Sequence, residues 1–204
     1  TADVEKVLLS NFDTHTTRHN TVDASLMTGV THAGMSSSSA AGDTLFTNVK
    51  NLVTGEMGNG GGDLTLTYAA AVVAGTADAQ TLNVSNLSAG TFTANGIEAL
   101  TIDGSLVAST LAGVAGDALT SLTLTGDQNL TISASTTFAD LTDLAAIAST
   151  IDASALTGAM SVLVGDTSTV KVTGGSAADT INMAATLETN DVIDGGDGVD
   201  TLTM

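Results

Sequence analysis

The stretch DVIDGGDGVDTL, residues 191–202, combines four aspartates with three glycines. Aspartate supplies hard anionic oxygen atoms, and glycine lets the backbone turn so that carbonyl oxygens point inward. Calcium takes about six to eight oxygen ligands at loose geometry, and such a turn supplies about half of them. The residue types and their spacing therefore predict calcium-binding turns near residue 200.

Two segments carry this pattern in the form of a nonapeptide, G-G-x-G-x-D-x-U-x, in which U is apolar. Residues 195–203 match every fixed position, and residues 174–182 match with Ala177 in place of the third glycine. The copies begin 21 positions apart, whereas a regular roll of such repeats needs about nine or eighteen. We therefore expect isolated calcium sites at the edge of a β-domain. The predicted ligands are Gly175, Asp179, Asp191, Asp194, Gly196, Asp197, Gly198 and Asp200.

Other aspartates recur in the chain without this glycine pattern. Asp23, Asp103 and Asp152 each follow Thr and a β-branched residue in the units TVDAS, TIDGS and TIDAS. A short carboxylate bonds readily to nearby backbone, which favours a turn or cap, with metal binding as the alternative. Turns are also the favoured interpretation of the Gly-Asp pairs, which stand at 42–43, 62–63, 116–117, 126–127 and 165–166.

The charge of the chain limits its partners. Its formal net charge is −18, with only four Lys and Arg residues. Such a chain repels nucleic acid and anionic lipid, so we expect neither as a ligand. Divalent cations would relieve the repulsion, although a simply solvated acidic surface is the alternative. No apolar run is long enough to span a bilayer, so no membrane insertion is expected.

Catalytic chemistry finds little support in the sequence. The chain has no cysteine nucleophile and no G-x-S-x-G elbow, and its three histidines fall at 15, 19 and 32. The carboxylates are too evenly spread to single out a catalytic pair. We expect no enzymatic activity, no catalytic residues and no organic cofactor, with Ca²⁺ as the bound ion.

The elements that must position the turns are β-strands. Apolar residues make up 43% of the chain but aromatic residues only 2%, which suits thin, repetitive layers. Period-two patterns closed by Gly or Asp predict many short strands; examples are at 63–69, 81–87, 91–94, 121–126, 129–133, 160–165 and 169–174. The glycine- and serine-rich runs at 35–43 and 55–63 are predicted to be loops, and 138–149 is predicted to be the single short helix. The expected fold is all-β, a β-solenoid or a stacked β-sandwich. We divide it into a β-rich repeat region, 1–134, and a region 135–204 that begins with the helix and ends in the calcium turns.

These motifs resemble the calcium-binding repeats of RTX (repeats-in-toxin) proteins, and the wider chain resembles bacterial S-layer proteins that contain them. The resemblance is carried by T[IV]DAS..TG at 21–29 and 150–158, NGIEALTID at 95–103, LTSLTLTGDQNLTIS at 119–133, VTGGSAADTI at 172–181 and DVIDGGDGVDTL. It implies type I secretion, calcium-dependent folding outside the cell and assembly of copies into a two-dimensional lattice on the bacterial surface. It also implies a cell-surface polysaccharide as a further partner, reached through another domain.

Two functions of different classes remain open at this point. In one, the chain is part of a structural S-layer protein whose copies are joined by Ca²⁺ between acidic surfaces. In the other, it is the calcium-binding stalk module of a secreted RTX adhesin or enzyme. The first residue is Thr1, and the motif-like stretch continues to residue 204, so we expect a fragment of a longer protein.

Overall fold

The computed structural model describes residues 4–15, 19–136, 149–165 and 169–204. Within these ranges all the elements of secondary structure are β-strands. All strand pairs are parallel, and the chain winds as a β-solenoid of about eight turns. The all-β prediction is confirmed, and of the two predicted architectures the solenoid is the one formed. The helix predicted at 138–149 lies, except for Ser149, outside the described residues.

One side of the solenoid is a single sheet of nine strands, here called the front sheet. Its strands, in spatial order, are β1 (Lys6–Asn11), β3 (His32–Ser38), β5 (Thr54–Gly60), β7 (Ala79–Leu87), β9 (Ala99–Asp103), β12 (Ser121–Gly126), β14 (Ser149–Leu156), β16 (Val170–Thr173) and β18 (Val192–Asp194).

The opposite side consists of two five-stranded sheets, here called the back sheets. The first contains β2 (Asn20–Asp23), β4 (Thr44–Val49), β6 (Leu64–Tyr68), β8 (Thr91–Ala94) and β11 (Gly113–Ala115). The second contains β10 (Ser109–Leu111), β13 (Leu130–Thr136), β15 (Met160–Val164), β17 (Thr180–Asn182) and β19 (Thr201–Thr203). β10 and β11 follow each other in one coil. In that coil β11 pairs with β8 of the first back sheet and β10 pairs with β13 of the second, so the coil joins the two back sheets.

The interior is a thin apolar layer between the front and back sheets. Along many of the strands, buried Val, Leu, Ile or Met side chains alternate with half-exposed residues, as in the pattern BiBiB of Met160–Val164. Phe46 and Phe92 are the largest fully buried side chains. A single coil cannot cover its own inner face, so burial, and with it stability, comes from stacking on the neighbouring coils.

Two predicted loops are strands, which corrects the sequence interpretation. Residues 35–38 belong to β3 and residues 55–60 to β5. Met35 and Met57 are each 1% exposed and fill the interior. Gly34 lies so close to the backbone of Glu56 that a side chain there would clash with its carbonyl oxygen. Neighbouring coils, not local propensity, therefore hold these weak strand formers in the ladder.

The repeated T[IV]D units do not mark equivalent places in the solenoid. Thr21–Asp23 lies in β2 of a back sheet, whereas Thr101–Asp103 and Thr150–Asp152 lie in β9 and β14 of the front sheet. The repeat in sequence is therefore out of phase with the structural repeat, which is the coil.

Candidate calcium-binding turns

The two glycine–aspartate turns lie on consecutive coils at the same corner of the solenoid. Thr180 pairs with Thr201 and Ile181 with Leu202, directly after the aspartate of each turn. The backbone N–H of Asp179 donates to Oδ1 of Asp200, 21 residues later, at 2.9 Å. The spacing of 21 residues is the length of one coil here, so the two turns stack on each other and are not the isolated sites that the sequence predicts.

Glycine is required where these coils touch. Gly196 has φ +82°, and a Cβ there would run into the carbonyl oxygen of Gly175. Gly198 has φ +124° and lies against the carbonyl oxygen of Ala177. Left-handed backbone and close approach both exclude larger residues, so the second and third glycines of the last motif are required by the packing of the two coils.

Asp179 is engaged by the backbone on all sides. Its side chain accepts N–H hydrogen bonds from Met160 at 2.7 Å, to Oδ1, and from Gly175 at 2.6 Å, to Oδ2. The residue is 1% exposed. A buried carboxylate needs such donors, and here they join the coil before the motif to the motif itself. A cation at Asp179 would have to compete with both hydrogen bonds.

Asp191 is engaged in a similar way at the opposite corner. Its Oδ1 accepts the N–H of Val170 at 2.9 Å, and its Oδ2 accepts the N–H of Glu188 at 2.7 Å. The first bond ties two consecutive coils together, and the second closes the preceding turn. Asp191 therefore acts as a corner cap, with both carboxylate oxygens occupied.

Three other predicted ligands keep free coordination capacity. Asp194 accepts one bond, from the N–H of Gly196 at 3.1 Å, and Asp200 uses Oδ1 for the N–H of Asp179. Asp197 is exposed, and its backbone N–H donates to the carbonyl oxygen of Gly175 at 3.0 Å, while its carboxylate has no hydrogen-bond partner among the described residues. Residue types at this coil fit a hard cation, which prefers carboxylate and carbonyl oxygens. Across the described residues, however, no three His, Asp or Glu side chains are already gathered as a metal site.

The same corner carries acidic or amide side chains on several other coils, and sequence reasoning did not connect them. Asp43 accepts the N–H of Asp63 at 2.9 Å, and Asp63 accepts the N–H of Thr91 at 2.7 Å. Asn129 likewise accepts the N–H of Ala159 at 3.0 Å. Each acceptor stands immediately before a back-sheet strand, a position that would have identified the group once the strands were known. The Gly-Asp pairs at 42–43 and 62–63 lie at this corner between strands, where the turn interpretation puts them.

Asp23 and Asp152 each accept the backbone N–H of the residue two positions later, Ser25 and Ser154, which is the local backbone bonding expected of them. Asp23 ends β2, whereas Asp152 lies within β14, beside an irregularity in the pairing with β12. Hydrogen bonds from the Asn48 side chain and then from the N–H of Ser25 lower the pKa of Asp23. Hydrogen bonds from the side chain and N–H of Ser154 lower the pKa of Asp152. Donors that bind the carboxylate favour its charged form, so both residues are structural acceptors above their pKa.

A groove of about 390 Å³ lies on the front sheet, with Glu56 and Asp103 in its lining. Lys6 Nζ contacts Glu56 Oε1 at 2.8 Å, and His32 Nε2 lies 4.0 Å from the same oxygen. The hydroxyl of Ser105 donates to Asp103. Both carboxylates of the groove thus have a polar partner within the chain.

Comparison with known proteins adds no relative: no family model, no curated protein and no solved structure matches the chain. Within the described ranges, no helix is long and apolar enough to cross a membrane.

Proposed function

We propose that the chain is a structural module of a bacterial S-layer protein, secreted to the cell surface, which binds Ca²⁺ at its last coil and packs beside copies of itself in a lattice. The observation that supports this most strongly is the stacking of the two glycine–aspartate turns on consecutive coils. A cation bound there acts on the joint between coils and so couples metal binding to folding.

The carboxylates of Asp194, Asp197 and Asp200 are the proposed ligands, with backbone carbonyl oxygens of the glycine turns completing the shell. They lie on the outermost described coil, where β18 and β19 each have a described neighbour on one side only. A net charge of −18 opposes contact between copies. Calcium held at these acids lowers that repulsion and gives two acidic surfaces a shared counter-ion.

Electron microscopy of the purified chain tests the proposal. Ordered sheets should form with Ca²⁺ and disperse when the ion is chelated. The variant Asp194→Asn/Asp197→Asn/Asp200→Asn should form none at the same calcium concentration. Asp103→Asn/Asp127→Asn/Glu188→Gln, which removes the same charge elsewhere, should still form them. Identical sheets with and without the ion would refute the calcium part, and no sheets under any condition would refute the lattice.

A second function, a stalk module in a secreted adhesin or enzyme, is favoured by one feature of the fold. Consecutive coils add along a single axis, with nine strands at about 4.8 Å spacing in the front sheet. Such a stack extends to a rod of any length and separates other domains without closing on itself. A chain that binds calcium but sediments as a monomer at every calcium concentration would favour this function over the lattice.

A further inference from the structure

The two sides of the solenoid differ sharply in charge. Strands of the front sheet carry Lys6, Glu56, Asp103, Asp152, Lys171 and Asp194. The ten strands of the back sheets carry one charged residue, Asp23, in the first of them. In a chain with a net charge of −18, the strands of this broad side are thus almost without charge. Asp43, Asp63 and Asp200 border them at the preceding corner. We call the outward side chains of the back-sheet strands the threonine face.

Hydroxyl groups run across this face in register. In the second back sheet, Thr110, Thr131, Ser161, Thr180 and Thr201 stand opposite one another on five consecutive strands. All five are at least partly exposed. The residues that follow the first four are buried, and Leu202, which follows Thr201 on the last described coil, is 48% exposed. None of the five side chains has a hydrogen-bond partner within the described part of the protein, so their hydroxyls are free to bond outside it.

The first back sheet continues the same surface with a more apolar character. Thr21, Leu45, Thr65, Thr93 and Ala115 form its corresponding row, again in register from strand to strand. Depletion of charge is one feature that distinguishes the centre of a protein interface from ordinary surface.

We infer that the threonine face is a contact surface between two copies of this chain, packed face to face. Without a bridging cation, two copies of a strongly anionic protein approach most easily where neither presents charge. A second copy also presents rows with the same spacing between strands, about 4.8 Å, so threonines of one copy can fit between those of the other over the whole face. The inference rests on the self-association part of the proposed function but not on calcium.

The size of the face sets the strength of this contact. Nine strand levels at about 4.8 Å give a height of about 40 Å, and about four residues of strand give a width of about 13 Å. About 500 Å² would be buried per copy and about 1,000 Å² in the pair, at the lower limit for a specific interface. We therefore expect a weak dimer with a two-fold axis, strengthened by salt because salt screens the remaining repulsion.

Sedimentation equilibrium of the chain in chelator, over a range of protein concentrations, is the test. Thr110 lies at the middle level of the face, so a two-fold axis brings the two copies of this position close together. Thr110→Glu and Thr110→Lys should each weaken the dimer by about a hundredfold, because like charges meet at a desolvated contact. An equimolar mixture of the two variants should restore it. Thr101→Glu, at a half-exposed threonine of the front sheet, should dimerise like the unmodified chain.

A chain that stays monomeric in chelator at all concentrations and in high salt would overturn the inference. So would Thr110 variants that associate like the unmodified protein, or a monomer that instead binds a neutral polysaccharide through this face. The outcome is separable from that of the lattice: a dimer in chelator without calcium-dependent sheets keeps this inference and refutes the proposed function. Sheets in calcium without a dimer in chelator would keep the proposed function and refute this inference.

Discussion

Replacing Asp179 by alanine should destabilise the C-terminal coils strongly, whether or not calcium is present. The substitution removes the acceptor for two N–H groups, those of Met160 and Gly175. The site is 1% exposed, so water does not readily replace the carboxylate. Each buried donor left without a partner costs about 1–3 kcal/mol, and the loss for the two donors should therefore total about 2–6 kcal/mol.

The assay is equilibrium unfolding in urea, in chelator and again in calcium, combined with hydrogen exchange of single amides. In a thermal melt of a chain of this size, the expected loss of stability corresponds to a fall in Tm of about 5–15 °C. Because coils in a solenoid can unfold separately, exchange should accelerate first at the amides of Met160 and Gly175. Asp179→Asn, which retains one acceptor oxygen, should lose about half as much stability.

Asp197→Ala is the matched control, since it removes a carboxylate from the neighbouring coil that accepts no hydrogen bond from the residues that the structure describes. It should change stability by no more than about 0.5 kcal/mol in chelator. Equal unfolding midpoints for Asp179→Ala and Asp197→Ala, with unchanged exchange at Met160, would refute the conclusion that Asp179 joins the coils.

Three further predictions address the ion, the backbone and pH. Asp200→Ala should weaken calcium binding in titration calorimetry more than Asp152→Ala, because the carboxylate of Asp152 already accepts the N–H of Ser154. Equal affinities of the two variants would exclude Asp200 as a ligand. Gly126→Ala should destabilise the chain by about 1–3 kcal/mol in a urea titration, since φ is +112° there and the added Cβ would lie 2.5 Å from the carbonyl oxygen of Gly104. The control is Gly104→Ala, which should be close to neutral because no atom lies nearer than 3.9 Å to the added Cβ. The pKa of Asp152 is lowered from its usual 3.8, so its charged form stabilises the fold above that pH, and this stability is lost as the pH falls through the folded-state pKa. In Asp152→Asn, the free energy of unfolding should therefore depend less steeply on pH below about pH 4. An unchanged slope of that free energy against pH would contradict this.

Much of the fold could be predicted from local patterns. Strands at 81–87, 91–94 and 121–126 follow from alternation between Thr and Leu, Val or Phe, and they recur as β7, β8 and β12. Their ends follow from Gly and Asp, which favour turns whatever the partner strand is. Strands β3 and β5 could not be predicted in this way, because their Gly and Ser have low strand propensity and only the coils above and below hold them in place.

The candidate site divides along the same line. The sequence by itself determined that the chain is all-β and that its acids gather at glycine-containing turns, because Gly and Asp impose local backbone geometry. Only the tertiary structure decided which carboxylates are already occupied: Asp179 and Asp191 bond to N–H groups of a neighbouring coil about 20 residues away, whereas Asp197 has no such partner. It also decided that the last coil is 21 residues long and that uncharged threonines share one side of the molecule. Both depend on strand register, which is set by packing between coils and has no signature within any single turn.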